Sequence, residues 1–231
     1  MNEHRFAVVG LGYFGSAIAR ILSKRGAEVL AIDTSEERVE GIKDEVAHAV
    51  MMDATDRKAL ESQGVADLDA VVVAIGENFE GLLLCTFAMQ EIGVKRIIAR
   101  ASGPNQRQIL EKMGIEEILS PEMEVGASVA ENLLNPSVLM CMQLPDDFEI
   151  VEVKPPRQVV NRSLADIGLR KKYRLNVVTI LREEKAIRKG EQVTEQHIIG
   201  VPTSDTVIHT TDTLVLFGLT KNIEKFIEIN R

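Results

Sequence analysis

Residues 1–119 alternate short β-branched runs with longer segments whose apolar positions recur at helical spacing, and this alternation constrains the fold more than any other feature. RFAVV, EVLAID, AHAVMM, AVVVAI, KRIIARA and the shorter EEILS read as strands, while residues 14–25, 35–44, 56–63, 78–91 and 104–113 read as helices. Strands that each hand over to a helix return as parallel neighbours, so this half predicts a parallel sheet built from βαβ units. The punctuation agrees. Thr34 or Ser35 is placed to cap the second helix, and Gly26, Gly64, Gly93 and Gly114 follow helix ends where a left-handed residue is needed.

A further helix is expected over residues 122–134, between Pro121 and the pair Asn135 and Pro136, with Val125, Val129 and Leu133 along one face. From about Leu144 the texture changes, with LPDD and KPPR as punctuation. FEIVEVK, LNVVTILRE and DTLVLFG then read as strands, RSLADIGLRKKY as a short helix and KNIEKFIEIN as a terminal amphipathic helix. The expected organisation is a domain over residues 1–135 and a small α+β domain over residues 145–231, with the boundary in residues 136–147. A domain that small is marginal alone and is expected to dimerise. Residues 183–206, polar and rich in Glu, Gln and Thr, read as a mobile or partner-facing loop.

The loop between the first strand and first helix is GLGYFG. In that pattern Gly10 permits the tight turn, Gly12 lets the backbone approach a pyrophosphate, and Gly15 allows close packing of helix on strand. The phosphate would meet the N-terminus of the helix, where unpaired N–H groups and the helix dipole favour an anion. Asp33 ends the second strand, where its carboxylate can accept from ribose hydroxyls and repel a 2′-phosphate; it can also serve to cap the following helix. The first domain is therefore expected to be Rossmann-like. Ligands of such sheets bind outside the carboxyl ends of the strands. That crevice would be lined by Asp53, Ala54 and Thr55 on the adenine side, by Ile75 and Gly76 near the ring or ribose, and by Arg100 reaching phosphate. Asp53 and Arg100 are read equally well as surface charges or members of a salt bridge.

The 231 residues carry a formal charge of −8, which argues against nucleic acid and anionic lipid as partners. Met1 leads into Asn2, Glu3, His4 and Arg5 without the apolar run of a signal peptide, so a soluble, cytosolic protein is expected. Cys85 and Cys141 lie among apolar neighbours and read as buried thiols. A dehydrogenase would need a proton donor or acceptor beside its substrate. His4, His48, His197 and His209 offer no such constellation, and no GxSxG, HExxH or GxxxxGK pattern occurs. The balance favours sensing of a nucleotide over turnover, with an NAD-dependent oxidoreductase or a stand-alone nucleotide-binding regulator as the alternatives.

Taken in order, GLGYFGSAIA, AIDTSEERVE, AHAVMMDAT, VVVAIGEN, RIIARA, ILSPEMEVG and RSLADIGLRKKYRLNVVTILR resemble the regulatory subunits of Trk/Ktr potassium-uptake systems, the RCK family, over nearly the whole chain. The resemblance implies a non-enzymatic cytosolic protein. Homodimers would assemble into a ring, commonly an octamer, docked at the inner face of the membrane on a potassium channel or transporter subunit. It implies that ATP, ADP, AMP or NAD(H) is held by Gly10, Gly12, Tyr13, Phe14, Gly15, Asp33, Thr34, Asp53, Ala54, Thr55, Ile75, Gly76 and Arg100. It also implies that Glu122 can join a divalent cation between protomers. Where relatives commonly read GLGRFG, with the arginine at the terminal phosphate, this chain has Tyr13. Residues 183–204 look longer than the corresponding hairpin, beside which some members bind cyclic di-AMP; Leu169, Arg170, Asn176 and Val177 would fall near that site.

Overall fold

In the computed structural model, which describes residues 4–188 and 191–231, the chain divides into two units, Met1–Glu124 and Val125–Arg231. The polar start at residues 1–3 and residues 189–190 of the expected loop lie outside the described residues.

The first unit is organised by β1 (Arg5–Val9), in which Ala7, Val8 and Val9 are all buried, as befits a strand covered on both faces. It pairs in parallel with β2 (Glu28–Asp33) on one side and β4 (Ala70–Val73) on the other. Adding β3 (His48–Met51), β5 (Ile97–Arg100) and β6 (Glu117–Leu119) gives the order β3-β2-β1-β4-β5-β6. All six are the strands read from the sequence. The two-residue period sorts each strand cleanly. Ala7, Val9, Leu30, Ile32, Val71 and Val73 face one core, and Val8, Val29, Ala31 and Val72 face the other.

The second of these cores is covered by α1 (Tyr13–Lys24), through Ala19, Ile18 and Leu22, and by Val39 of α2 (Glu36–Glu40). The first is covered by α3 (Arg57–Ser62), α4 (Phe79–Glu91) and α5 (Pro104–Lys112), through Leu60, Leu82, Cys85, Met89 and Leu110. Helices on both faces of a parallel sheet make the Rossmann-like architecture expected. Gly26, Gly64, Gly93 and Gly114 all take positive φ as anticipated. Ser35 caps α2 by accepting from Arg38 N–H at 3.4 Å, but α2 stops at Gly41 and does not run to residue 44. Helix α6 (Pro121–Leu134) spans the division between the units.

The second unit is a five-stranded antiparallel sheet, ordered β10-β9-β11-β8-β7. Its strands are β7 (Val138–Gln143), β8 (Phe148–Val153), β9 (Asn176–Arg188), β10 (Glu191–Ile198) and β11 (Asp212–Leu219). Helix α7 (Leu164–Ile167) and a turn of π-helix over Leu169–Tyr173 take up the expected short helix, and α8 (Thr220–Ile229) buries Ile223, Phe226 and Ile227. The small α+β class is as expected. Between the strands, Asp212 is wholly buried and accepts from Arg182 Nε at 2.8 Å, Arg182 Nη2 at 2.9 Å and His209 N–H at 2.8 Å.

Three readings are corrected. Residues 183–206 are not a loop throughout, because the long hairpin of β9 and β10 occupies much of them. Of its paired positions, Glu184, Thr194 and Gln196 are exposed while Val193 and Glu195 are half-buried, so backbone pairing orders it without the apolar alternation that reveals a half-buried strand. β7 lies where a connection was expected; it is an edge strand with Met140 and Met142 exposed, and only Val138 fully buried. Cys85 is buried as expected, but Cys141 is half-buried on β7 and donates to Glu149 Oε2 at 3.2 Å.

Candidate nucleotide site

The sheet changes winding direction between β1 and β4, and the crevice at that point is where an open α/β sheet presents its ligand site. The glycine turn fills it. Gly10 has φ +92°, and a β-carbon there would meet Ile75 N at 3.0 Å, so both its conformation and its close approach to the chain after β4 require glycine. A β-carbon on Gly15 would lie 1.9 Å from Gly10 O and 3.1 Å from Ala74 Cβ; this contact seats α1 on the sheet. Around Gly12 the space is open, with nothing within 4 Å of a β-carbon.

Gly12 is also the N-cap of α1, with no side-chain cap and no acidic residue in the first turn. The N–H groups of Tyr13, Phe14 and Gly15 belong to the helix's first turn and so have no intrahelical acceptor. Their dipoles and the open approach at Gly12 make a site suited to an oxyanion. Tyr13 is fully exposed and Phe14 half-buried.

Asp33 is buried and held from both sides. Oδ2 accepts from Leu11 N–H at 2.6 Å, Oδ1 accepts from Ser35 N–H at 2.8 Å, and Arg38 Nη1 is 3.5 Å from Oδ2. The carboxylate thus ties the glycine turn to the end of β2, and the cap of α2 falls to Ser35. Oδ2 is taken by two donors, whereas Oδ1 has one and keeps a lone pair for a further donor. Leu11 and Arg38 were not singled out from the sequence, and Ser35 only as a helix cap; a donor five residues after Asp33, within the short helix that follows, is the signal that points to Arg38.

Of the remaining expected residues, Thr34 is exposed beside Asp33. Asp53 folds back on Thr55, accepting from its N–H at 2.9 Å and its hydroxyl at 2.7 Å. Those hydrogen bonds, backbone first, hold the Asp53 carboxyl below its ordinary range against a small opposing effect of burial. Ala54 is buried in the core below, and Ile75 and Gly76 are half-buried. Burial, with Asp53's charge adding to it, pushes the Cys85 thiol up to about 12, which leaves it unreactive.

Arg100 gathers several of these elements. Its guanidinium lies 5.3 Å from the Phe14 ring centroid, abuts Gly76, and donates from Nη2 to Glu122 Oε1. The hydrogen bond from Arg100, first, and its charge hold the Glu122 carboxyl below the ordinary range. The salt-bridge reading of Arg100 is therefore realised, with Glu122 as the partner. Among the described residues no three His, Cys, Asp or Glu side chains come together to hold a metal. A cation at Glu122 does not fit the donors of one chain.

A parallel sheet in this order with a glycine turn at its switch point, followed by a separate antiparallel unit, defines a two-unit protein of the Rossmann class. The TrkA-N domain family matches residues 6–121, and the TrkA-C domain family matches residues 148–230. Ktr system potassium uptake protein C of Bacillus subtilis (strain 168) is 34% identical, over 97% of this chain and 96% of that protein. Protein A of the same system and organism is 33% identical, over 98% and 96%. The chain belongs to the family of Ktr and Trk system potassium uptake proteins. That family consists of transport proteins and not enzymes, which sets aside the oxidoreductase alternative.

Among solved structures, the GsuK RCK domain superposes with a TM-score of 0.65 at 14% identity, over 99% of this chain and 48% of that one. The chain thus spans about half the length of that structure, with which it shares the fold. The NAD(P)-binding domain of an exopolyphosphatase-related protein from Archaeoglobus fulgidus matches 57% of this chain at 26% identity, with a TM-score of 0.51. Among the described residues no helix is long and apolar enough to cross a membrane.

Proposed function

We propose that this chain is the cytoplasmic, nucleotide-sensing regulatory subunit of a Trk/Ktr-type potassium uptake system, gating a membrane-embedded channel or transporter subunit. The observation that carries the reading is the uncapped N-terminus of α1 beside the open space at Gly12, with the buried carboxylate of Asp33 tied to the same turn. The family relation supplies the transport context. GsuK has been solved bound to NAD and bound to ADP, which supports an adenine nucleotide as the ligand class.

In this reading the N–H groups at the start of α1 hold phosphate, Asp33 accepts from ribose hydroxyls, and Thr34, Asp53, Ala54 and Thr55 border the adenosine side. Ile75, Gly76 and Arg100 close the phosphate side, with Tyr13 and Phe14 at the mouth. The bound nucleotide contributes charge and binding energy, and no bond is made or broken. Residues 1–135 act as the sensor and residues 145–231 as the regulatory and dimerising module. Val125, Val129, Leu133 and Leu134 of α6 are exposed, which supports assembly into homodimers and an octameric ring. A divalent cation at Glu122 would draw its other donors from a second copy. Cyclic di-AMP would be met near buried Leu169, half-buried Val177 and the Arg170–Asn176 pair, linked at 2.6 Å.

Calorimetric titration of the full chain with ATP, ADP, AMP and NADH, alongside native mass spectrometry, tests this reading. One adenine nucleotide per protomer on an even-numbered oligomer is expected; no binding at millimolar nucleotide, or a monomer at micromolar protein, would overturn it.

A further inference from the structure

The Arg100 side chain is one-fifth exposed and Glu122 one-half, so their ion pair sits at the edge of the crevice with the cation on the inner side. Three elements meet at the guanidinium. Phe14 of α1 provides a ring for it to lie against, Gly76 after β4 leaves the room it needs, and Glu122 in the first turn of α6 takes one Nη2 hydrogen bond. A β-carbon at residue 76 would come within 2.8 Å of Nη1. The Nε–H is buried and has no acceptor among the described residues. A charged donor left unpaired in this way is costly, and its neighbours Phe14 and Gly76 both border the glycine turn.

We propose that Arg100 and Glu122 form a charge latch that a phosphate-bearing ligand at the glycine turn opens, releasing the first turn of α6 from β5. The inference rests on the nucleotide reading above and adds how occupancy reaches α6. Two anions that share one guanidinium repel each other, so a phosphate drawn to Arg100 weakens its hold on Glu122. By linkage, Glu122 must weaken the phosphate's affinity by the same factor. Phe14 keeps the guanidinium in the crevice in either state, acting as a positioning residue. An ordinary surface ion pair would make no such demand on ligand affinity, which makes the sign of the effect decisive.

The test is calorimetric titration of ADP into the full chain in EDTA, using wild type, Glu122→Gln, Arg100→Gln and the double variant. Loss of a half-exposed ion pair should tighten ADP binding by about two- to fivefold in Glu122→Gln. Loss of the charge-assisted contact should weaken it about tenfold or more in Arg100→Gln. The double variant should match Arg100→Gln, because the gain at residue 122 acts through Arg100. Hydrogen exchange at residues 121–124 should rise on ADP addition in wild type and be raised already in Glu122→Gln. Unchanged or weaker ADP binding in Glu122→Gln, or a gain that persists without Arg100, would overturn the latch. A wild type that binds no ADP would instead overturn the nucleotide reading on which it rests.

Discussion

Gly12 and Gly15 stand three residues apart in one motif, yet the structure gives their substitution opposite consequences. A methyl group at Gly15 would sit 1.9 Å from a backbone carbonyl oxygen, more than 1 Å inside ordinary contact, with Ala74 Cβ behind it at 3.1 Å. Neither neighbour is the free end of a flexible side chain, so α1 must lift from the sheet. Overpacking of this kind costs about 3 kcal/mol. A methyl group at Gly12 meets nothing within 4 Å, and its φ of −65° suits any residue, so Gly12→Ala should stay within about 0.5 kcal/mol of wild type. It should nevertheless weaken ADP binding about tenfold or more, because the methyl occupies the approach to the first N–H groups of α1. Urea unfolding followed by circular dichroism separates the two. With a slope of about 1.5 kcal/mol/M, the Gly15→Ala midpoint should fall by about 2 M, and the Gly12→Ala midpoint should hardly move. Hydrogen exchange across β1 and β2 locates the loss. Equal destabilisation by the two variants, or a stable Gly12→Ala protein with wild-type ADP affinity, would refute the reasoning.

Asp33→Ala removes the proposed ribose acceptor together with the bonds to Leu11 and Ser35 N–H, so calorimetry should show weaker nucleotide binding and urea unfolding a loss of about 3 kcal/mol. Tyr13→Arg, at a fully exposed position, should leave stability unchanged and introduce a preference for ATP over ADP. A wild type already binding ATP more than about a hundredfold tighter than ADP would remove its premise. Asp212→Ala strands the partly buried Arg182 and should cost about 3 to 5 kcal/mol in urea unfolding. Burial pushes the Asp212 carboxyl up, but the Arg182 and His209 hydrogen bonds and their charges outweigh it and hold the group below its ordinary range. Because the folded value is depressed, the pair's stabilisation is complete above the unfolded carboxylate value of about 3.9 and is lost as pH falls through the folded one. Acid unfolding of wild type should show this loss below about pH 4, and Asp212→Ala should lack it.

The first unit was legible because its central strands are covered on both faces, which leaves continuous apolar runs such as AVVV of the kind a parallel sheet buries. GLGYFG and Asp33 were legible because glycine is demanded by backbone geometry, which is local. The outer half of β9, together with β10 and β7 at the two edges of the second sheet, escaped because backbone pairing orders them and few of their described side chains are buried.

Local sequence alone determined the parallel sheet, the helix stops at the glycines and the anion-suited turn, since each depends on φ, on side-chain period or on the first N–H groups of a helix. Tertiary structure alone decided that Asp33 is bound to Leu11 N–H, and that Arg100 meets Glu122 across 22 residues while lying against Phe14. Those are contacts between strand ends brought together by the winding of the sheet, and side-chain charge carries no record of distance until the sheet has closed.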